Sequence, residues 1–137
     1  MPLISTKGAY GLTAMYELSK HKEDTPLQIK EISSNANIPQ NYLEQLLSKL
    51  RRAGLVESIR GAKGGYILAR KPEEIIVKDI LIALEGDLKI LDKRTDNPVL
   101  NMFFLEAKEN MKKLFEISLA QLNEYQDKYN QVLHYNI

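Results

Sequence analysis

Side chains able to do covalent chemistry are scarce in this 137-residue chain and stand far apart. There is no cysteine, so disulfides, thiol chemistry, cysteine-ligated zinc and thiolate iron–sulfur sites are excluded by composition. The two histidines, His21 and His134, are isolated, with no partner at HxxE or HxxxH spacing. Gly61, Gly64 and Gly65 match neither GxxxxGK[ST] nor GxGxxG, and the residue after them opens a strand rather than a helix, so no nucleotide is assigned. The carboxylates are scattered as on solvated helix faces, and no nucleophile–base pair emerges. The expectation is a chain with no catalytic residue, no metal and no cofactor, hence not an enzyme.

The residues suited to recognition, by contrast, are concentrated. Asn41, Gln45, Ser48 and Arg52 recur at helical spacing, with Tyr42 and Glu44 on the flanks. In the major groove of DNA, Asn and Gln read adenine bidentately, a carboxylate accepts from cytosine N4, and Arg suits guanine or phosphate. A polar helix face taken alone is more often simply solvated. Here it is followed by a basic stretch: residues 49–71 hold seven cations (Lys49, Arg51, Arg52, Arg60, Lys63, Arg70, Lys71) against the single acid Glu57. Phosphate neutralisation by such groups supplies most non-specific DNA affinity. Arg60, just before the glycine turn, is placed for a narrow minor groove, whereas Lys63 fits a solubilising turn about as well as a DNA contact.

The elements that must position these groups can be read from periodicity and turn chemistry. Ser5 or Thr6 is suited to cap a first helix running to about Lys20, with Ala9, Leu12, Met15 and Tyr16 towards the core. Residues 21–26 read as a loop. Leu27 to Ser34 reads as a second helix burying Ile29 and Ile32, followed by an Asn35–Asn37 turn. Pro39 suits the start of a third helix, whose Leu43, Leu46, Leu47 and Leu50 fall at i, i+3, i+4 and i+7 as one buried stripe. Gly54 closes it. Leu55–Arg60 and Tyr66–Arg70 read as two strands around a glycine-rich turn. Val77, Ile80, Leu81 and Leu84 define a fourth helix stopped at Gly86. A charged linker, 87–98, leads to a long amphipathic helix over about 99–117, and Ser118 is suited to cap a final helix carrying Leu119, Leu122, Tyr125 and Tyr129. The fold class is therefore mainly α with a small β wing: a winged helix-turn-helix over 1–86, a linker over 87–98, and a dimerisation helix with tail over 99–137.

Charge follows the same division. Residues 1–72 carry 11 Lys/Arg against 6 Asp/Glu, a net of +5, and residues 73–137 carry 8 against 12, a net of −4. A basic half joined to an acidic half suits an anion-binding module fused to something else. No signal-peptide core or membrane-length apolar run is present, so a cytoplasmic location is the expectation. The long helix either folds back on its own domain or pairs with a second copy. Pairing is the reading taken, through Leu100, Phe103, Phe104, Ala107, Met111, Leu114 and Phe115, because a twofold dimer presents two recognition helices to a palindromic site.

Three segments carry a resemblance: ISTKGAYGLTAM at 4–15, NYLEQLLSKLRRAGLV at 41–56 and RGAKGGYILAR at 60–70. Together they resemble the Rrf-two family of bacterial regulators, which includes iron–sulfur cluster regulators and a cysteine-metabolism repressor. The resemblance covers 1–86 clearly and 87–137 in layout. It implies a homodimeric transcription factor whose long helices cross at the interface. It also implies that Asn41, Tyr42, Glu44 and Gln45 meet DNA, that Arg60 enters the minor groove, and that Ser5, Thr6 and Lys7 lie near phosphates. Ala9 departs from the pattern, since many members have an arginine there. Cluster-binding members carry three cysteines after the fourth helix; 87–98 has neither Cys nor His, which places the chain in a clusterless branch. In that branch a partner protein can be the sensor, and Ile137 at the end of the sequence is a candidate to dock into cysteine synthase.

The expected function is a sequence-specific regulator of transcription, a homodimeric repressor on a palindromic operator. Double-stranded DNA is contacted by Ser5, Thr6, Lys7, Asn41, Tyr42, Glu44, Gln45, Ser48, Arg51, Arg52, Arg60 and Lys63. Two alternatives stay open: a winged-helix adaptor for protein assembly, and a repressor triggered by a small molecule held between the long helix and the winged domain.

Overall fold

The computed structural model describes residues 3–135. Ile137, the candidate partner-docking residue, lies outside the described residues. Seven α-helices and one hairpin follow in order: α1 (Thr6–Lys20), α2 (Ile29–Ala36), α3 (Gln40–Arg52), β1 (Val56–Ile59), β2 (Gly65–Leu68), a 3-10 turn (Pro72–Glu74), α4 (Val77–Glu85), α5 (Pro98–Leu114), α6 (Leu119–Leu122) and α7 (Glu124–Tyr135).

The leucine stripe of α3 organises the core. Leu43, Leu46, Leu47 and Leu50 are all buried, packed with Met15 and Leu18 of α1, Ile32 of α2, and Ile80 and Leu84 of α4. Full burial of such a side chain stabilises by about 1.5–3 kcal/mol, so this face fixes how α3 is seated. Its end is equally defined. Gly54 takes φ +76°, its N–H donates to Arg51 O (2.9 Å), and the Leu55 N–H donates to Leu50 O (3.0 Å). This is the paired-bond Schellman stop that a left-handed glycine permits, and it turns the chain directly into the wing.

The wing is antiparallel, with Val56 opposite Leu68 and Ile59 opposite Gly65. Its strands are shorter than the expected 55–60 and 66–70; β1 starts at Val56, because the Leu55 N–H is spent on closing α3, and β2 starts one residue early, at Gly65, and ends at Leu68. Leu27 was expected in the second helix. It instead exchanges both backbone bonds with Tyr66 (3.0 and 2.9 Å) and adds a bridge to the outer edge of β2. α2 therefore begins at Ile29, which is only half-buried, while Ile32 is fully buried. A Cβ on Gly65 would collide with the Leu27 backbone, so only glycine admits this close approach.

In α1 the buried stripe is Gly8, Gly11, Ala14, Met15 and Leu18. Ala9, expected in the core, is exposed, and Leu12 and Tyr16 are half-buried at the edge. Two glycines replace side chains on the buried face because α4 lies against them, which a hydrophobicity pattern does not register. α4 runs as expected and stops at Gly86, φ +82°. Its open N-terminal amides are satisfied from the far end of α5: Val77 N–H donates to Ile117 O and Lys78 N–H to Phe115 O, both at 2.8 Å. The polypeptide leaves helix at Leu114 rather than 117 to make these bonds. Ser118 then caps α6 in a full capping box with Gln121. Among the described residues, no helix is long and apolar enough to cross a membrane.

Candidate nucleic-acid interface

Three segments bring cations around the exposed face of α3. Asn41, Glu44, Gln45, Arg51 and Arg52 are exposed, and Ser48 and Lys49 are half-buried. The Arg52 guanidinium folds back along the helix onto Ser48, with Nε donating to its carbonyl and an Nη to its hydroxyl, both at 3.4 Å. Tyr42 is half-buried and meets Tyr10 edge-on at 5.8 Å between centroids. Its ring thus joins α1 to α3 as well as flanking the polar face.

At the other end of α3, Arg51 and Arg60 line one shallow cleft with Gly54, Glu57 and Ser58. The helix terminus and the wing thereby each place an arginine on this cleft. Arg60 and Lys63 are exposed on either side of Gly61, whose φ of +111° forms the wing tip. Lys7 of α1 lies near enough to Lys49 of α3 to act on its charge. Repulsion from the Lys7 ammonium, with lesser contributions from desolvation and Arg52, holds Lys49 below its usual value. Two ammonium groups crowded without an intervening acid suit a bound anion. Lys49 was read from sequence only as one basic residue among seven; its pairing with Lys7 joins residues 42 positions apart and has no local signal.

Ser5 behaves differently from its expected role. Its side chain makes no cap of its own; its N–H and hydroxyl both donate to Glu85 Oε1 (3.1 and 2.5 Å). Thr6 is exposed at the start of α1.

The α5 residues divide in two. Met111 and Phe115 pack against the chain's own second core cluster, Val77, Leu81 and Leu88, and Phe104 and Ala107 are half-buried. Leu100, Phe103 and Leu114 are exposed, joined by Val99, Met102 and Leu105, which the helical pattern did not single out. Phe103 and Phe104 stack edge-on at 5.3 Å.

Residues 4–127 match the Rrf2 family, described as an iron-dependent transcriptional regulator. The chain belongs to the Rrf2 family. It is 41% identical over 126 residues to the HTH-type transcriptional regulator CymR of Bacillus subtilis, covering 90% of this chain and 91% of that protein. The solved structure of CymR, the global cysteine regulator of B. subtilis, superposes with a TM-score of 0.82 over 91% of this chain and 98% of that one. IscR of T. potens is 39% identical with a TM-score of 0.79, over 92% and 89% of the two chains. These Rrf2 relatives are transcriptional regulators and not enzymes, and the hairpin between α3 and α4 is the wing of their winged-helix fold.

The iron dependence in the family's description finds no ligands in this member. The chain has no cysteine. Segment 87–97 offers only Asp87, Asp92 and Asp96 as acids and no histidine, and Asp87 is engaged by Lys108 (2.8 Å) and Lys112 (3.2 Å). Among the described residues no three His, Cys, Asp or Glu side chains gather as a metal site would require. The residues present do not fit an iron cofactor.

Proposed function

We propose that this Rrf2 member is a homodimeric, sequence-specific DNA-binding repressor that acts on an inverted-repeat operator. The observation that carries the reading is the polar outward face of α3, with Asn41, Glu44 and Gln45 exposed and Ser48 half-buried, flanked by exposed Arg51 and Arg52 at its end and by exposed Arg60 and Lys63 on the wing that follows. In this reading α3 enters the major groove and Asn41, Glu44 and Gln45 meet base edges. Arg51, Arg52 and Lys63 take phosphates, Arg60 enters the minor groove beside them, and Thr6 with the Lys7–Lys49 pair takes phosphates on the α1 side. Ser5 and Tyr42 serve the interface from within, by holding α1.

Two copies pair through the outer part of α5, where Val99, Leu100, Met102, Phe103 and Leu105 stand exposed, with Leu114 exposed at its other end. A cluster of exposed apolar side chains of this kind marks a protein contact, and twofold pairing duplicates the recognition helix. Repression needs no further contact, because a dimer seated on promoter DNA excludes whatever else must bind there. The test is selection of random duplex DNA by the purified protein at about physiological salt, where the screening length is about 8 Å. An enriched inverted repeat supports the reading. Weak, salt-erased binding without sequence preference overturns it in favour of an assembly adaptor.

The trigger proposed is a partner protein rather than a metal. The likeness to CymR, named for cysteine regulation, supports cysteine synthase as that partner, engaged through Ile137. Capture of the protein on immobilised cysteine synthase, lost when Ile137 is removed, would support this; equal capture of both, or of neither, would discard it.

A further inference from the structure

The first turn of α1 is capped from 80 residues away. Glu85 is the last residue of α4, and one carboxylate oxygen, Oε1, accepts from the Ser5 N–H (3.1 Å), the Ser5 hydroxyl (2.5 Å) and the Gly8 N–H (2.9 Å). A carboxylate at a helix N-terminus is favoured both by the open amides and by the helix dipole, and charge-assisted bonds of this kind are strong. The seat is cut to fit: a Cβ on Gly8 would collide with Glu85 Oε1, and one on Gly11 would collide with Leu84. Glycine at position 8, in the first turn of α1, therefore has a packing reason, which is to admit this side chain.

The residues between the anchored ones are Thr6, which is exposed, and Lys7, which is half-buried. Farther along α1, the Tyr10–Tyr42 contact fixes the helix against α3. The first turn is thus held at one end by Glu85 and at the other by α3.

We propose that Glu85 is a positioning residue for DNA binding: it touches no DNA, and by seating the first turn of α1 it holds Thr6 and Lys7 where a backbone phosphate passes. The inference rests on the DNA-binding reading above. Loss of Glu85 should cost the Lys7 contact while leaving the wing contacts in place.

The experiment is a salt-dependent anisotropy titration of the selected operator with the full chain. Wild type, Glu85→Ala, Glu85→Gln, Gly8→Ala, Lys7→Ala and the Glu85→Ala/Lys7→Ala pair are compared, with Arg60→Ala in both backgrounds. Glu85→Ala should weaken binding about tenfold and lower the salt slope by about one. Glu85→Gln, which keeps an oxygen in place, should lose less. Lys7→Ala should weaken the wild type about tenfold but add little to Glu85→Ala, whereas Arg60→Ala keeps its full effect in both. Gly8→Ala raises helix propensity yet displaces Glu85, so it should reproduce the binding loss without a lower melting temperature. A purely structural Glu85 would lower melting and leave the salt slope and the Lys7 effect unmoved, and that result overturns the inference. Wild type that binds no duplex overturns the DNA reading and this inference together. Wild-type binding with an unmoved Glu85→Ala overturns this inference alone.

Discussion

α3 and α5 are both amphipathic helices, but α3 has its apolar face covered by the chain throughout and α5 only in part, around Met111. α3 buries Leu43, Leu46, Leu47 and Leu50 almost completely and turns amides, a carboxylate and guanidinium groups outward. α5 is longer, 17 residues against 13, and buries none. Val99 and Met102 are 73% and 72% exposed, and Phe103 is 61% exposed. Apolar area is driven out of water whichever chain supplies the cover. α3 is finished within one protomer, so its outward face is free for a polar ligand; α5 is unfinished, so its outward face calls for a second apolar surface. The same rule underlies the proposal that one helix serves DNA and the other assembly.

The comparison breaks most sharply in stability. Leu47→Ala should lower unfolding free energy by about 2–5 kcal/mol, the cost of a buried leucine and the cavity it leaves. Leu105→Ala should change monomer unfolding by less than about 0.5 kcal/mol, as exposed positions do. Denaturant titrations at concentrations low enough to keep the chain monomeric measure both. Equal losses would mean that α5 is packed within its own protomer after all. Next in size is Phe103→Glu. Burial of a phenylalanine contributes about 1.5–3 kcal/mol, and an isologous contact uses the residue twice. Sedimentation should show the dimer weakened by about 100-fold or more, with operator affinity falling alongside and the melting temperature of the monomer unmoved. A variant that sediments as wild type would remove Phe103 from the interface.

What the sequence displayed and what it concealed divide along similar lines. The α3 stripe, the Gly54 stop, the hairpin, the Gly86 stop and the Ser118 cap were legible because each is written within a few residues. The Leu27 bridge was not, since its cause is the bare backbone at Gly65, 38 residues on. Ala9 was misplaced because glycines 8 and 11 occupy the buried side of α1 where a hydrophobic count looks for side chains. α5 read as one uniform helix; its division into an inner end around Met111 and Phe115 and an exposed outer part depends on where carbonyls 115 and 117 find the amides of α4. At the candidate interface, the outward, solvent-facing placement of Asn41, Glu44, Gln45 and Arg60 was legible by type and spacing. The Lys7–Lys49 pair and the inward use of Ser5 were not, because their partners come from different elements.

Within α3 itself the outward face can be probed one base at a time. Glu44→Ala should relax preference at one operator position, a direct base contact being worth about 1–3 kcal/mol of discrimination, while Leu47 next to the same turn affects folding alone. Repeating the DNA selection with the variant reads this directly; an unchanged consensus would show that Glu44 is a solvated flank.

The smallest effect concerns the joint between the two regions. Asp87 follows Gly86 and pairs with Lys108 and Lys112 of α5. Hydrogen bonds from Lys108 first and Lys112 second hold its carboxyl below the ordinary 3.8. A carboxylate depressed in the folded state adds stability that is fully present above its unfolded value and is lost as pH falls through the folded value. Asp87→Asn should therefore melt slightly below wild type at neutral pH, and the two curves should meet as pH drops below about 3.8. High salt should close the gap at neutral pH as well, because the pair is half in solvent and is screened. A gap that persists at low pH and in high salt would mean that Asp87 holds the α4–α5 joint by its shape and hydrogen bonds, and that its charge contributes nothing to how the assembly helix is tied to the DNA-facing domain.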